Sequence, residues 1–362
     1  MARKLMFGFL PSFCIFAPLQ AMAIEVKPGG CLFLDYKYAI LSNSQDQASL
    51  FEITRGYLTL KSEFTDRIKG RLTYDIYHPK DREIELWDGT TLDTVTTYSE
   101  SNTLIRLKYA YLEYSNRKIY SKFKFGMHQT EWIEVANKTW KHRYVAKTLL
   151  DYWAVESSSD YGISWYSDFP TKYLRAAVQL LNGSGYSKKE ENKLKDVESM
   201  VYIYPLSDNE RFAKSWIGGG YYYGFPNKAG MKAVNSKEDF VVLGGSFDYK
   251  DWFTLTTEYF GRQYNENADV AGDSKSSGFS IYGDLRFASL EGPTRKMVFI
   301  GRYDSYDSDT EVDDDKRDLI ILGGGCNLIQ GVSLMLDYQS QTYQAIGVDS
   351  NSCLYLHGLV KF

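Results

Sequence analysis

The stretch Tyr120-Ser-Lys-Phe-Lys-Phe-Gly-Met-His-Gln129 decides how the rest of this 362-residue chain is read. Phe123, Phe125 and Met127 alternate with Lys122, Lys124, Gly126 and His128. A period of two places the apolar set on one face of a strand and the polar set on the other. One face wants hydrocarbon and the other wants water.

Working outward, the same alternation returns in segments of about ten residues, with almost none of the 3.6-residue periodicity of amphipathic helices. Sixteen segments are expected as strands: 29–40, 50–62, 68–78, 103–114, 120–130, 161–169, 174–182, 197–205, 215–224, 240–250, 254–264, 277–287, 296–306, 315–327, 332–343 and 350–362. The connections fall into two classes. After even-numbered segments they are short, as in Glu63 to Arg67, Ser115 to Ile119, Pro170 to Tyr173, Asp251 to Phe253 and Leu328 to Gly331. After odd-numbered ones they include Pro79 to Asn102, Glu131 to Asp160, Gly183 to Asp196 and Phe225 to Asp239.

Short turns at one rim and long loops at the other, with an even number of strands, describe an all-β transmembrane antiparallel up-and-down β-barrel. Closure follows from physics, because in lipid a free sheet edge leaves a row of unpaired backbone groups costing several kcal/mol each. A soluble two-sheet sandwich also alternates, but it does not require two classes of connection. Composition agrees with β structure: 16% aromatic, 30 Tyr and only 8 Pro. Mean hydropathy is -0.37, and beyond residue 23 no window approaches the roughly 18 apolar residues of a spanning helix.

Residues 1–23 read as a cleaved secretory signal peptide, leaving 24–362 as a single barrel domain. Arg3 and Lys4 precede the apolar stretch Leu5 to Leu19, and Ala21-Met22-Ala23 supplies the small-x-small cleavage site before Ile24. Cys14 raises the alternative of a lipoprotein, but Phe13 stands where a small residue is needed. Removing Arg3 and Lys4 takes the net charge from -4 to -6, which disfavours nucleic acid as a partner. Three cysteines remain, Cys31, Cys326 and Cys353. By strand number the first two lie three strands, or about 14 Å, apart, and a disulfide needs less than about 7 Å. Cys353 belongs to the opposite rim.

The chain ends Leu354-Tyr-Leu-His-Gly-Leu-Val-Lys-Phe362. Its alternation and terminal aromatic resemble the assembly signal of outer-membrane barrels, with Val360 where an aromatic is often found. Phe51-Glu-Ile-Thr-Arg-Gly-Tyr-Leu-Thr-Leu-Lys61, Thr65-Asp-Arg67, Arg71-Leu-Thr-Tyr-Asp75, Leu107-Lys-Tyr-Ala-Tyr-Leu-Glu-Tyr114, Phe125-Gly126 and Ser158-Ser-Asp-Tyr-Gly162 resemble the porin superfamily that includes the phosphate-selective porins O and P. The resemblance covers the amino-terminal half and the closing strand. It implies a bacterial outer-membrane location, contact with lipid and lipopolysaccharide, trimeric diffusion pores for small hydrophilic solutes or anions, and no cofactor. It leaves phosphate selectivity open.

Sixteen strands enclose more space than wall side chains fill, so a water-filled lumen is expected. The longest connection, 131–160, carries Trp132, Trp140, Tyr144, Val145, Leu149, Leu150, Tyr152 and Trp153. So apolar a loop of this length needs something to pack on. Folded into the lumen, as the third outer loop is in the porins it resembles, it constricts the pore and brings Lys141, His142, Arg143 and Lys147 to the narrowest point. The alternative is a packed lid outside the barrel.

Alternation turns Arg55, Lys61, Lys69, Arg71, Arg106, Lys108, Lys122 and Lys124 inward on four adjacent strands, with Asp75 the main acid among them. Charges avoid the lipid face, where they cost about 2–4 kcal/mol at the midplane, but that does not explain the uniform sign. A one-signed wall favours anions. Glu258, Asp304 and Asp337 are also expected inward, and an acidic wall opposite the basic one would give a transverse field with little net selectivity.

No catalytic constellation is visible. His78, His128, His142 and His357 lack metal-ligand spacing, and Gly183-Ser-Gly185 lacks the context of a nucleophile elbow. Gly218 to Gly224 and Gly323 to Gly325 lie within strand patterns with no following helix, so bends or close packing explain them better than phosphate loops. The acidic run Asp304, Asp307, Asp309, Glu311, Asp313, Asp314, Asp315 lacks the glycine and spacing of a calcium loop and reads as a solvated outer loop. Four functions stay open: a general or anion-preferring porin, a substrate-specific phosphate or sugar channel, a plugged barrel serving as adhesin or structural anchor, and an outer-membrane hydrolase, which the missing inward Ser-His pair at one rim weakens.

Overall fold

The computed structural model describes residues 25–41, 49–77, 103–227, 236–250, 252–265, 274–287, 292, 296–344 and 350–362, and the backbone of 82–87 and 92–97. The expected signal peptide, Cys14 and His78 lie outside these residues. Numbered in chain order, the strands are β1 (Val26–Leu41), β2 (Ser49–Glu63), β3 (Ile68–Tyr77), β4 (Arg82–Trp87), β5 (Leu92–Thr97), β6 (Leu104–Asn116), β7 (Ser121–His128), β8 (Asp160–Ser167) and β9 (Leu174–Leu181). They continue with β10 (Asp196–Ile203), β11 (Trp216–Gly224), β12 (Lys237–Tyr249), β13 (Phe253–Asn265), β14 (Ser274–Arg286), β15 (Met297–Asp307), β16 (Arg317–Ile329), β17 (Val332–Tyr343) and β18 (Asn351–Lys361).

All but β4 and β5 join one closed antiparallel barrel of sixteen strands among the described residues. Each expected segment coincides with one of them. The first and last strands meet from Cys31 opposite Lys361 to Leu41 opposite Ser352, so every strand has two neighbours and the lipid meets no free edge. β4 and β5 pair only with each other, as a hairpin within the connection expected at 79–102.

On β13, Thr254, Thr256, Glu258 and Phe260 are buried while Leu255 and Tyr259 are exposed. The exposed set faces lipid, which accounts for surface leucines, isoleucines and phenylalanines such as Phe125, Ile163 and Leu322. The alternation read from 120–129 holds through Phe125 and ends at Gly126, where φ is 118° and both Met127 and His128 are buried. Not every short-rim connection is tight: between β10 and β11 the chain makes successive turns from Pro205 to Lys214.

The apolar core lies inside the barrel. The connection expected at 131–160 contains two helices that alternation does not reveal, α1 (Glu131–Trp140) and α2 (Leu149–Tyr152). Trp132, Ile133, Leu149 and Leu150 pack against wall residues such as Met200, Trp216 and Phe260. Trp140, Tyr144 and Val145 pack against Tyr282, Ile321 and Met335. Each large side chain so buried contributes about 1.5–3 kcal/mol. Gly244 is a condition of this fit, since a Cβ there would meet backbone at 2.6 Å and the Trp132 ring at 3.1 Å. Cys31, Cys326 and Cys353 are free thiols. The acidic run forms a hydrogen-bonded turn in which Asp315 accepts from Ser308 and the Asp309 amide, each at 2.7 Å.

Candidate functional site

The loop inside the barrel is held to one side by buried acids. Glu198 on β10 accepts the backbone amides of Glu131 and Trp132, each at 3.2 Å, satisfying two of the free donors at the start of α1. Glu258 on β13 accepts the Trp132 indole N–H at 3.1 Å and a Tyr282 hydroxyl. Asp304 on β15 accepts the Trp153 indole at 3.1 Å and Ser280 at 2.5 Å, and takes Arg302 Nε at 2.8 Å. Arg302 is fully buried and also donates to the Lys147 carbonyl, tying the middle of the loop to the wall.

Asp337 serves the seam. His357 on β18 donates through Nδ1 to Asp35 on β1 at 2.6 Å, and its Nε2 lies 3.0 Å from Asp337 on β17. Glu258, Asp304 and Asp337 therefore lie on the inner face as expected, but all three are buried and engaged. Arg302 offsets the charge of Asp304 and His357 stands between Asp35 and Asp337, while Glu258 meets neutral donors.

The four bases of the loop divide. Lys141 and His142 turn to the far wall, where Lys141 Nζ lies 3.5 Å from Asp248 and 3.1 Å from Thr254, and His142 lies 3.5 Å from Asp284. Burial pulls the Lys141 ammonium below its ordinary range. Arg143 and Lys147 instead share Asp151, at 2.8 and 2.9 Å. Burial pushes the Asp151 carboxyl up, but Arg143, Lys147 and Lys108 outweigh it and hold it below the usual carboxylate range.

Lys108 comes from the opposite wall. A register shift in the β3–β6 pairing lets Thr73 face Tyr109 and Tyr74 face Leu107, so Lys108 is the unpaired residue of a bulge. It is buried, and its ammonium reaches Ser158 of the loop at 2.7 Å. Beside it, fully buried Asp75 takes Arg55 at 2.6 Å and Arg106 at 2.9 Å. Arg55, Arg106 and Lys108 of the wall thus meet Arg143 and Lys147 of the loop, five bases against Asp75 and Asp151.

The other five bases of the expected wall are not in this cluster. Arg71 lies over the Tyr109 ring at 4.4 Å, and Lys124 lies over Tyr111 and Tyr166 while donating to Gln129. Lys61, Lys69 and Lys122 sit toward the short-turn rim, the first two exposed and Lys122 half-buried, with Lys69 2.9 Å from Glu63 and Lys122 3.9 Å from Glu113.

Sequence reasoning missed Tyr186. It lies in the connection after β9, where Gly183 and Gly185 adopt φ of 87° and 68°, a conformation glycine reaches without strain. The Gly183 amide donates to Asp160 at 2.6 Å, docking this connection on the end of the 131–160 loop. The Tyr186 hydroxyl accepts from Arg106 at 2.8 Å, and its ring lies 4.0 Å from the Lys108 ammonium. Glu156 was also missed. Neither of its buried carboxylate oxygens has a hydrogen-bond partner among the described residues, and burial, with Glu198, Asp151 and Asp160 nearby, pushes it well above the ordinary range.

No family model matches this chain, and no curated protein matches it. Solved structures do. The outer membrane channel DcaP of Acinetobacter baumannii superposes with a TM-score of 0.64 at 12% identity, over 94% of this chain and 97% of that one. An anion-selective porin from Comamonas acidovorans gives 0.63 at 13% identity, over 94% and 100%. OmpT, an outer-membrane protein of Vibrio cholerae, gives 0.61 at 13%, over 95% and 99%. At such identities the likeness is one of fold, and the fold this chain shares with them is the sixteen-stranded outer-membrane barrel.

Proposed function

We propose that this chain is a bacterial outer-membrane porin, a passive and anion-preferring channel for small hydrophilic solutes that catalyses no reaction. In this reading residues 1–23 direct export and are removed, 24–362 form the channel, and 131–160 constrict it. The assembly is a homotrimer in contact with lipid and lipopolysaccharide, akin to the phosphate-selective porin superfamily. The barrel neighbours described as channels and porins support the general class.

One observation carries the anion preference. The loop packs its apolar side and the far wall's acids against each other, and turns Arg143 and Lys147 toward Arg55, Arg106 and Lys108. A narrow water column between two basic surfaces concentrates anions, because low-dielectric walls focus the field. On the far wall Asp304 is paired with Arg302, and Asp248 with Lys141 and Arg286, which limits how far those acids offset the basic cluster.

Single-channel recording of the purified protein in planar bilayers tests this. Ohmic steps are expected, and Arg143→Gln with Lys147→Gln moves the reversal potential in a potassium chloride gradient toward the cation side. Absence of steps would favour the plugged-barrel reading. Steps whose ion preference ignores both substitutions would remove these bases from the pathway.

A further inference from the structure

Resting on the reading above, we propose that Tyr186 is a specificity-determining lid over the basic cluster: a phenol from a second loop that a permeating anion must displace to reach Arg106 and Lys108. Tyr186 stands among the groups assigned to the anion path. Its hydroxyl occupies a donor of Arg106 at 2.8 Å, and its ring lies 4.5 Å from the Arg106 guanidinium and 4.0 Å from the Lys108 ammonium. The Arg106 guanidinium also lies over the Tyr77 ring at 3.8 Å. Arg106 is thus capped by aromatic faces and holds Asp75 with its Nε.

The placement is built. Besides the Gly183 amide on Asp160, the Asn182 amide donates to the Tyr161 carbonyl at 2.9 Å, and a Cβ on Gly185 would lie 2.7 Å from Ser157 Oγ. The connection after β9 therefore fits the end of the 131–160 loop closely, and Tyr186 follows directly from that fit. A neutral phenol holding two cations by a hydrogen bond and its ring face offers a weak substitute for an anion. Anions with strong acceptor oxygens displace it, whereas chloride passes beside it. The ring and the hydroxyl have separable effects, one steric and one competitive.

Channels of the full protein and of two variants are compared in potassium chloride, with sulfate added as a blocking probe. Tyr186→Phe keeps the ring and releases the Arg106 donor. The half-blocking sulfate concentration is expected to fall by about tenfold, the low end of the value of one hydrogen bond to a charged group. Tyr186→Ala removes the ring as well, and chloride conductance is expected to rise above the wild-type level as the pore's open section widens. If wild type is anion-selective but both variants match it in conductance and sulfate block, the lid is overturned and the porin reading stands. If wild type forms no channels or prefers cations, both fall together. The near-isosteric Phe variant keeps the test decisive should the Ala variant fail to fold.

Discussion

Trp132, the second residue of α1, donates its indole N–H to Glu258 on β13 at 3.1 Å, across 126 residues of sequence. The ring also stacks on Tyr202 at 5.9 Å, with an interplanar angle of 22°. The loop is therefore pinned at its first turn by an aromatic anchor and a buried acid. Trp132→Ala is expected to lower barrel stability by about 3–5 kcal/mol, the range for emptying a buried aromatic site. It should also add open-channel noise as α1 loosens. Denaturant titration in detergent and current-noise spectra check the two effects.

Asp75 compensates Arg55 and Arg106 at once and is fully buried. Asp75→Asn removes the one acid between two guanidinium groups, so anion preference should rise. Losing one partner of a buried ion pair should cost about 3–5 kcal/mol. The reversal potential and the unfolding midpoint should move in opposite senses, the first toward anions and the second toward lower denaturant.

On the proposed reading, Arg302 acts on ion preference from a buried position, through the loop base it tethers. It holds Asp304 and the Lys147 carbonyl, with the Tyr152 ring 5.4 Å away. Arg302→Met leaves Asp304 buried without its cation, again a loss of about 3–5 kcal/mol, and adding Asp304→Asn, which removes the charge but keeps a carbonyl acceptor for the Trp153 indole, should restore much of it. The double variant still lacks the tether on Lys147. Its stability should recover while its ion preference does not, which paired unfolding and reversal-potential measurements read directly.

The sequence made the sixteen barrel strands visible because lipid enforces a period of two on every wall, and strand after strand repeats it. The inner architecture was harder to see. In α1, Trp132, Ala136 and Trp140 recur every four residues, a helical ladder too short to stand out in a ten-residue element. Apolar pairs such as Leu319-Ile320-Ile321-Leu322 put hydrophobes on both faces of β16, the mark of a wall packed on both sides. Inward charges on β2, β3 and β6 followed from alternation, but their partners did not. Asp75 bridging two strands, Lys108 displaced by a bulge and Tyr186 arriving from another loop depend on register and loop docking, which alternation does not encode.

Glu156 gives the account a pH signature. Its carboxyl is pushed up by burial and by neighbouring acids, so the folded state holds a proton that the unfolded chain releases. Its contribution to stability is therefore greatest below the ordinary glutamate range of about 4 and is lost as pH rises through the window between the unfolded and folded values. Glu156→Gln, which cannot ionise, should leave the unfolding midpoint unchanged near pH 4 and raise it at pH 8. An unchanged midpoint at both would mean the carboxylate is solvated in the folded protein.

The sign of the zero-current potential across a bilayer holding the wild-type protein, with a tenfold potassium chloride gradient, tests the central claim most directly. Two basic surfaces facing one water column predict the polarity of a chloride-preferring channel, weakening as salt rises and screening shortens. A potential of potassium-preferring polarity at low salt, where the bases act most strongly, would contradict it.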